Sequence, residues 1–195
     1  MIETLTRRVI LGASIFAAGS LLVNDGSVAQ APLAPTPACH DGHEATLPQT
    51  EGPYFKPSSP ERIELLEPEM PGQPIELVGF VLTRACKPVA GALLDFWQAD
   101  DKGSYDNSGF RLRGHQFTDS EGRYRLRSVV PGLYPGRTRH IHVKVQPRDR
   151  AVLTTQLYFP GEAKNRSDGL FRKELLVKTA KSEGWLAGRF DFVVG

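Results

Sequence analysis

The sequence predicts an all-β fold, a β-sandwich of mostly antiparallel strands with long loops and little helix. Short apolar stretches recur roughly every ten residues, the spacing of a sandwich. Turn-formers are plentiful and dispersed, with 19 glycines and 15 prolines in 195 residues, which interrupts the chain before long helices can form. Several stretches alternate apolar and polar residues with a period of two, so one face buries and the other meets polar surroundings.

Taken in order, residues 75–83 are apolar and β-branched, and residues 92–99 form a second apolar run. Phe96 and Trp97 point to opposite faces of that run, which places at least one of them in the core. Asp119-Ser120-Glu121-Gly122 reads as a turn, and residues 124–127 alternate as a strand. Pro131-Gly132 reads as another turn. Residues 140–146 and 154–159 alternate in turn, and residues 174–178 and 189–194 are the expected final strands. A short helix is expected only over residues 182–187, with Trp185 as a packing residue.

The N-terminal 31 residues read as an export signal. Arg7-Arg8 precedes a short apolar run ending near Val23, and small residues around Ala29 and Ala31 offer cleavage positions. The run is shorter than the roughly 20 residues a membrane span needs, so no stable span is expected after processing. The paired arginines resemble a twin-arginine signal, which implies a periplasmic or extracellular destination. Residues 32–46 form a proline-stiffened linker and arm, and residues 47–195 form one catalytic-sized domain. An even pair of cysteines in an exported chain predicts a Cys39–Cys86 disulfide, worth on the order of 4 kcal/mol in the chain-entropy account.

Charge excludes one class of partner. The chain carries 24 basic and 22 acidic residues, a formal net charge of +2, without the basic excess that nucleic-acid binding requires.

The chemistry concentrates at His140-Ile141-His142. Two imidazoles one residue apart on a strand project from the same face, opposite Ile141, Val143 and Val145, and so make a two-point metal clamp. Histidine alone suits zinc, copper, nickel or iron. Tyr134 in the Tyr134-Pro135-Gly136 turn and Tyr105 in Gly103-Ser104-Tyr105 add two phenol oxygens. That mixed donor set favours a hard, highly charged ion, and ferric iron fits best. A phenol ordinarily titrates near 10, but a trivalent cation beside it favours phenolate.

Other polar residues read more plainly. His40 and His43 belong to a solvated arm, and His115 to a pocket edge or surface. Asp100, Asp101 and Asp106 are loop residues around Tyr105, and Arg111 and Arg113 are expected to be solvated.

Three stretches, 91–105, 118–127 and 131–142, stand in the order found in intradiol ring-cleavage dioxygenases. Thr50-Glu51-Gly52-Pro53-Tyr54-Phe55 resembles that family's N-terminal arm, and residues 154–159 and 188–192 resemble its last strands. The likeness covers about residues 47–195 and is closest to the shorter exported branch. It implies that Tyr105, Tyr134, His140 and His142 ligate Fe(III), that Tyr134 is both ligand and base, and that Arg137 lies beside the substrate. It further implies that Gln156 supports Arg137 and that Tyr54 walls the pocket. The implied reaction inserts both atoms of O2 between the hydroxylated carbons of a catechol, giving a cis,cis-muconate-type diacid. Assembly into dimers or larger bodies is also implied. Only five residues separate Tyr134 from His140, and no tryptophan follows the Tyr134-Pro135 turn, which leaves the particular catechol open. The competing expectation is a non-enzymatic sandwich of the transthyretin-like or carboxypeptidase-regulatory-like kind, since residues 118–134 carry that strand-turn-strand pattern.

Overall fold

The structure is a computed structural model that describes residues 44–148 and 150–195. The export signal, most of the linker, Cys39, His40 and His43 lie outside the described residues, as therefore does the expected Cys39–Cys86 bridge. The described residues form nine strands: β1 Pro74–Thr83, β2 Leu93–Trp97, β3 Arg113–Phe117, β4 Arg123–Val129, β5 His140–Gln146, β6 Leu153–Tyr158, β7 Lys178–Lys181, β8 Leu186–Arg189 and β9 Phe192–Val194. Two 3₁₀ turns, Ala163–Arg166 and Lys173–Leu175, are their only helical elements. No helix among the described residues is long and apolar enough to cross a membrane.

One sheet runs β4-β1-β8-β7, with β9 also paired to β1; the other runs β3-β2-β5-β6. All pairings are antiparallel except those of β8 and β9 with β1. The inner faces meet in one core. Ile75, Leu77 and Val81 from one sheet and Leu94, Phe96, Ile141, Val143 and Val145 from the other are all 0% exposed. Burying each such large side chain stabilises the fold by roughly 1.5–3 kcal/mol. The all-β sandwich expected from the sequence is the observed fold.

Four local expectations are corrected. Residues 174–178 hold a 3₁₀ turn followed by the start of β7, because Leu175, Leu176 and Val177 are consecutive apolar residues without strand alternation. Residues 182–187 are the β7–β8 hairpin turn and the start of β8, closed by reciprocal Ser182 and Trp185 backbone bonds. Gly132 makes a close approach instead of a turn: a Cβ there would meet the Gly103 amide at 2.3 Å and the Asp101 carbonyl at 2.4 Å. The last strand expected over 189–194 divides into β8 and β9, since the Phe80 amide donates to the Asp191 carboxylate (3.0 Å) in place of a backbone carbonyl.

Candidate metal and substrate site

The outer face of the second sheet carries an unusual rung. Arg113, Trp97, His142 and Gln156 pair side by side across β3, β2, β5 and β6. Each is 3% exposed or less, although all face away from the core. They are buried because residues 47–56 lie over them. The Thr50 carbonyl accepts from Gln156 Nε2 (2.8 Å). Gly52 lies over the His142 ring, where a Cβ would stand 3.4 Å from Cε1. Phe55 meets Trp97 edge-on at 4.9 Å, and the Tyr54 carbonyl accepts from Arg113 Nη1. Glu51 pairs with Lys144 one step along the same face of β5.

Beneath this strap the two histidines converge. His140 Nε2 and His142 Nε2 are 3.2 Å apart, and Tyr105 Oη is 3.3 Å from His140 Nε2. The Thr138 carbonyl lies 2.6 Å from His140 Nδ1. A carbonyl only accepts, so that nitrogen carries the proton and Nε2 presents a lone pair to the cluster. His142 stacks flat on Trp97, and its buried Nδ1 has no partner among the described residues. Burial lowers the pKa of His140 to about 4 and holds His142 well below its ordinary value. Both rings are therefore neutral near pH 7, the form that ligates metals.

The tyrosines close the other side. Tyr105 sits in a loop fixed by Asp106, whose carboxylate accepts from the amides of Ser108, Gly109 and Arg111. Those bonds, that from Gly109 foremost, hold Asp106 below the ordinary carboxylate range. Tyr134 opens a turn closed by the Arg137 amide on its carbonyl (2.9 Å). Pro135 and Gly136, the latter at φ +82°, suit the central positions of such a turn. Tyr54 joins the two: its ring stacks on Tyr105 at 4.4 Å and its hydroxyl lies 3.0 Å from that of Tyr134. Burial raises the Tyr105 phenol above its ordinary value, opposed by the charges of Arg137 and Arg113. A cavity of about 370 Å³ opens beside Tyr105, lined by Asp100, Ser104, Asp106, Arg111 and Leu112.

Arg137 stands at the same place. Its Nη2 donates to Gln156 Oε1 (2.7 Å) and its Nε to Asp168 (2.9 Å). The structure thus brings together all seven expected residues: Tyr54, Tyr105, Tyr134, Arg137, His140, His142 and Gln156. Arg113 corrects its expectation, being 1% exposed and committed to the Tyr54 and Asp106 carbonyls. His115 stands apart, bonded to the Ser59 carbonyl (2.7 Å). The sequence reading missed Asp168 and the cover over Trp97. Ser167-Asp168-Gly169 signals a turn and nothing more.

The outer face of this β-sandwich gathers two buried histidines and three tyrosines into one nitrogen- and oxygen-donor cluster, the candidate centre of the fold. Residues 50–194 match the family model described as Dioxygenase, and the chain belongs to the intradiol dioxygenase family. A hydroxyquinol 1,2-dioxygenase of Rhizobium sp. (strain MTP-10005) is 31% identical over 138 residues, covering 53% of this chain and 47% of that protein. The protocatechuate 3,4-dioxygenase beta chain of Burkholderia cepacia is 34% identical over 119 residues, covering 52% and 51%. The chain spans about half the length of these curated relatives. Among solved structures, the dioxygenase domain of a dioxygenase–carbohydrate-binding protein fusion from Streptomyces sp. SirexAA-E is 56% identical. It superposes with a TM-score of 0.76 over 77% of this chain and 98% of that one. The 3-chlorocatechol 1,2-dioxygenase of Rhodococcus opacus 1CP is 28% identical, with a TM-score of 0.72 over 77% and 73%.

Proposed function

We propose that this chain is a non-haem Fe(III) dioxygenase that opens a catechol-type ring between its hydroxylated carbons to give a cis,cis-muconate-type product. The observation that carries the reading is the convergence of His140 Nε2, His142 Nε2 and Tyr105 Oη, with spans of 3.2 and 3.3 Å. Neighbouring ligands about 2.1 Å from one ion lie about 3 Å apart, so these atoms suit a shared metal. The Thr138 carbonyl on His140 Nδ1 fixes the tautomer of a neutral imidazole ligand. Tyr134 supplies the fourth donor, and two phenol oxygens suit ferric iron over softer ions. Held by Tyr105, Tyr134, His140 and His142, ferric iron would supply Lewis acidity toward a catecholate.

The remaining work falls to the chain. Tyr134 Oη takes a proton from a catechol hydroxyl as the substrate arrives, within a hydrogen bond of Tyr54 Oη. The Arg137 guanidinium stabilises negative charge growing on the ring. Residues 47–56 keep water from the histidines. Oxygen uptake with catechol, protocatechuate, hydroxyquinol and methylcatechols, alongside iron analysis, tests the reading. About one iron per chain, a visible phenolate band and uptake with at least one catechol are expected. Colourless iron-bound protein without uptake would refute it. A sandwich without catalytic function gives no reason to bury His140 and His142 beside Tyr105.

We also infer export through residues 1–31 and a Cys39–Cys86 bridge formed after it. Secretion of the processed chain and a two-hydrogen mass gain on reduction test both; cytoplasmic retention or two free thiols would end them.

A further inference from the structure

We propose that Asp168 is the positioning residue that sets the orientation of Arg137 and so fixes which edge of the guanidinium a substrate meets. The inference rests on the assignment of Arg137 to the substrate pocket. Asp168 follows the 3₁₀ turn Ala163–Arg166, and its side chain is 1% exposed. Its oxygens accept from Arg137 Nε (3.1 and 2.9 Å), the Thr138 amide (2.8 Å) and the Leu170 amide (2.9 Å). Burial opposes its charge, but these bonds together outweigh it and hold the carboxyl below its ordinary value. A carboxylate bound from several directions has one available orientation.

That orientation is passed to Arg137. The planar guanidinium spends Nε on Asp168 and Nη2 on Gln156 Oε1 and Tyr158 Oη (2.7 and 3.4 Å). Nη1 is left without a partner among the described residues. The remaining charge is felt at Tyr105, His140 and His142, so it acts on the cluster. Gln156 alone would let the guanidinium pivot about one contact; the carboxylate at Nε removes that freedom. The same carboxylate accepts from the Thr138 amide, and the carbonyl of that residue sets the tautomer of His140. Asp168 therefore ties the cationic group and one imidazole to a single rigid point.

The test is a double-mutant cycle on iron-loaded protein, with iron content and thermal midpoint measured beside kcat and KM. Asp168→Asn keeps the volume and one acceptor for Thr138 while removing the charge opposite Arg137. It is expected to lower kcat/KM by roughly 10- to 100-fold. In an Arg137→Met background the same change is expected to alter kcat/KM less than about twofold. A merely structural role would multiply the two losses, and that result, or an Asp168→Asn enzyme within twofold of wild type, overturns the proposal. If Asp168→Asn does not fold, Asp168→Glu keeps the charge and shifts it by one methylene; full activity there is equally fatal. Wild-type protein inert toward every catechol defeats the proposed reaction instead. A crystal structure of Asp168→Asn then decides the positioning role, which fails if Arg137 stays on Gln156 and Tyr158 unchanged.

Discussion

Trp97 lies flat against His142, ring centroids 4.8 Å apart and planes within 8° of parallel. The indole is 1% exposed and its Nε1 has no partner among the described residues, so it serves as a surface that stops the imidazole from turning. Trp97→Ala is expected to cost about 3–5 kcal/mol of stability and to lower iron affinity. Trp97→Phe, which keeps a ring and removes the unpaired N–H, should cost under about 1.5 kcal/mol. Urea unfolding and metal titration of both variants check this; equal losses would contradict it.

Stability of the metal-free protein is expected to fall as pH drops below about 6.5. Burial places His140 at about 4 in the folded state, below its unfolded value near 6.5. The unfolded chain therefore binds more protons across that window. The stabilisation is complete above it, declines through it and levels off beneath pH 4. His140 alone accounts for about 3 kcal/mol, and His142 acts in the same direction. The depressed Asp106 and Asp168 add losses only below about pH 4. Denaturant titrations at pH 7.5, 5.5 and 4.5 measure this, and a flat profile would be inconsistent with neutral buried imidazoles.

Arg113 links the strap to the Tyr105 loop, donating to the carbonyls of both Tyr54 and Asp106. Arg113→Met leaves those two half-buried acceptors unpaired, at a cost of roughly 2–5 kcal/mol. Arg113→Lys keeps the charge but not the fork and is expected to recover less than half of that. Faster proteolysis within residues 44–57 in both variants would accompany the loss. Unchanged protection would mean that the strap is held elsewhere.

The two phenols separate by role. On the proposed function, Tyr105→Phe and Tyr134→Phe should each weaken and shift the visible band of iron-loaded protein, since each would remove a phenolate donor. Tyr134→Phe also removes the base and should cost about 10²–10⁴-fold in kcat. Stopped-flow absorbance with a catechol distinguishes them: substrate that binds Tyr134→Phe at the wild-type rate would exclude its role in proton transfer.

Period-two patterning carries much of the sandwich. Ile141, Val143 and Val145 alternate with His140, His142 and Lys144, and that alone predicts which face of β5 enters the core. β3 was less legible, because Gly114 and flanking polar residues hide it. Glycine is needed there, since a Cβ would press on Arg62 Cγ and Leu65 Cδ2 at 2.8 Å. At the site, the expected ligands came from short motifs together with a family likeness. Arg113 looked solvated because nothing local tells that a distant arm will cover it. Asp168 carries no local signal beyond that of a turn, because its partner is 31 positions away. Contacts made only by the finished fold leave no local signature.

The bond from Gln156 to the Thr50 carbonyl spans 106 positions along the chain. Loop closure over such a distance is expected to follow formation of neighbouring hairpins, because it costs more chain entropy. His140 and His142 can thus be held in register by adjacent strands before anything lies above them. During that interval the imidazoles stand open to water and to passing ions. On the proposed function, closure of residues 47–56 over the histidines is the step after which an ion taken up there would become difficult to exchange.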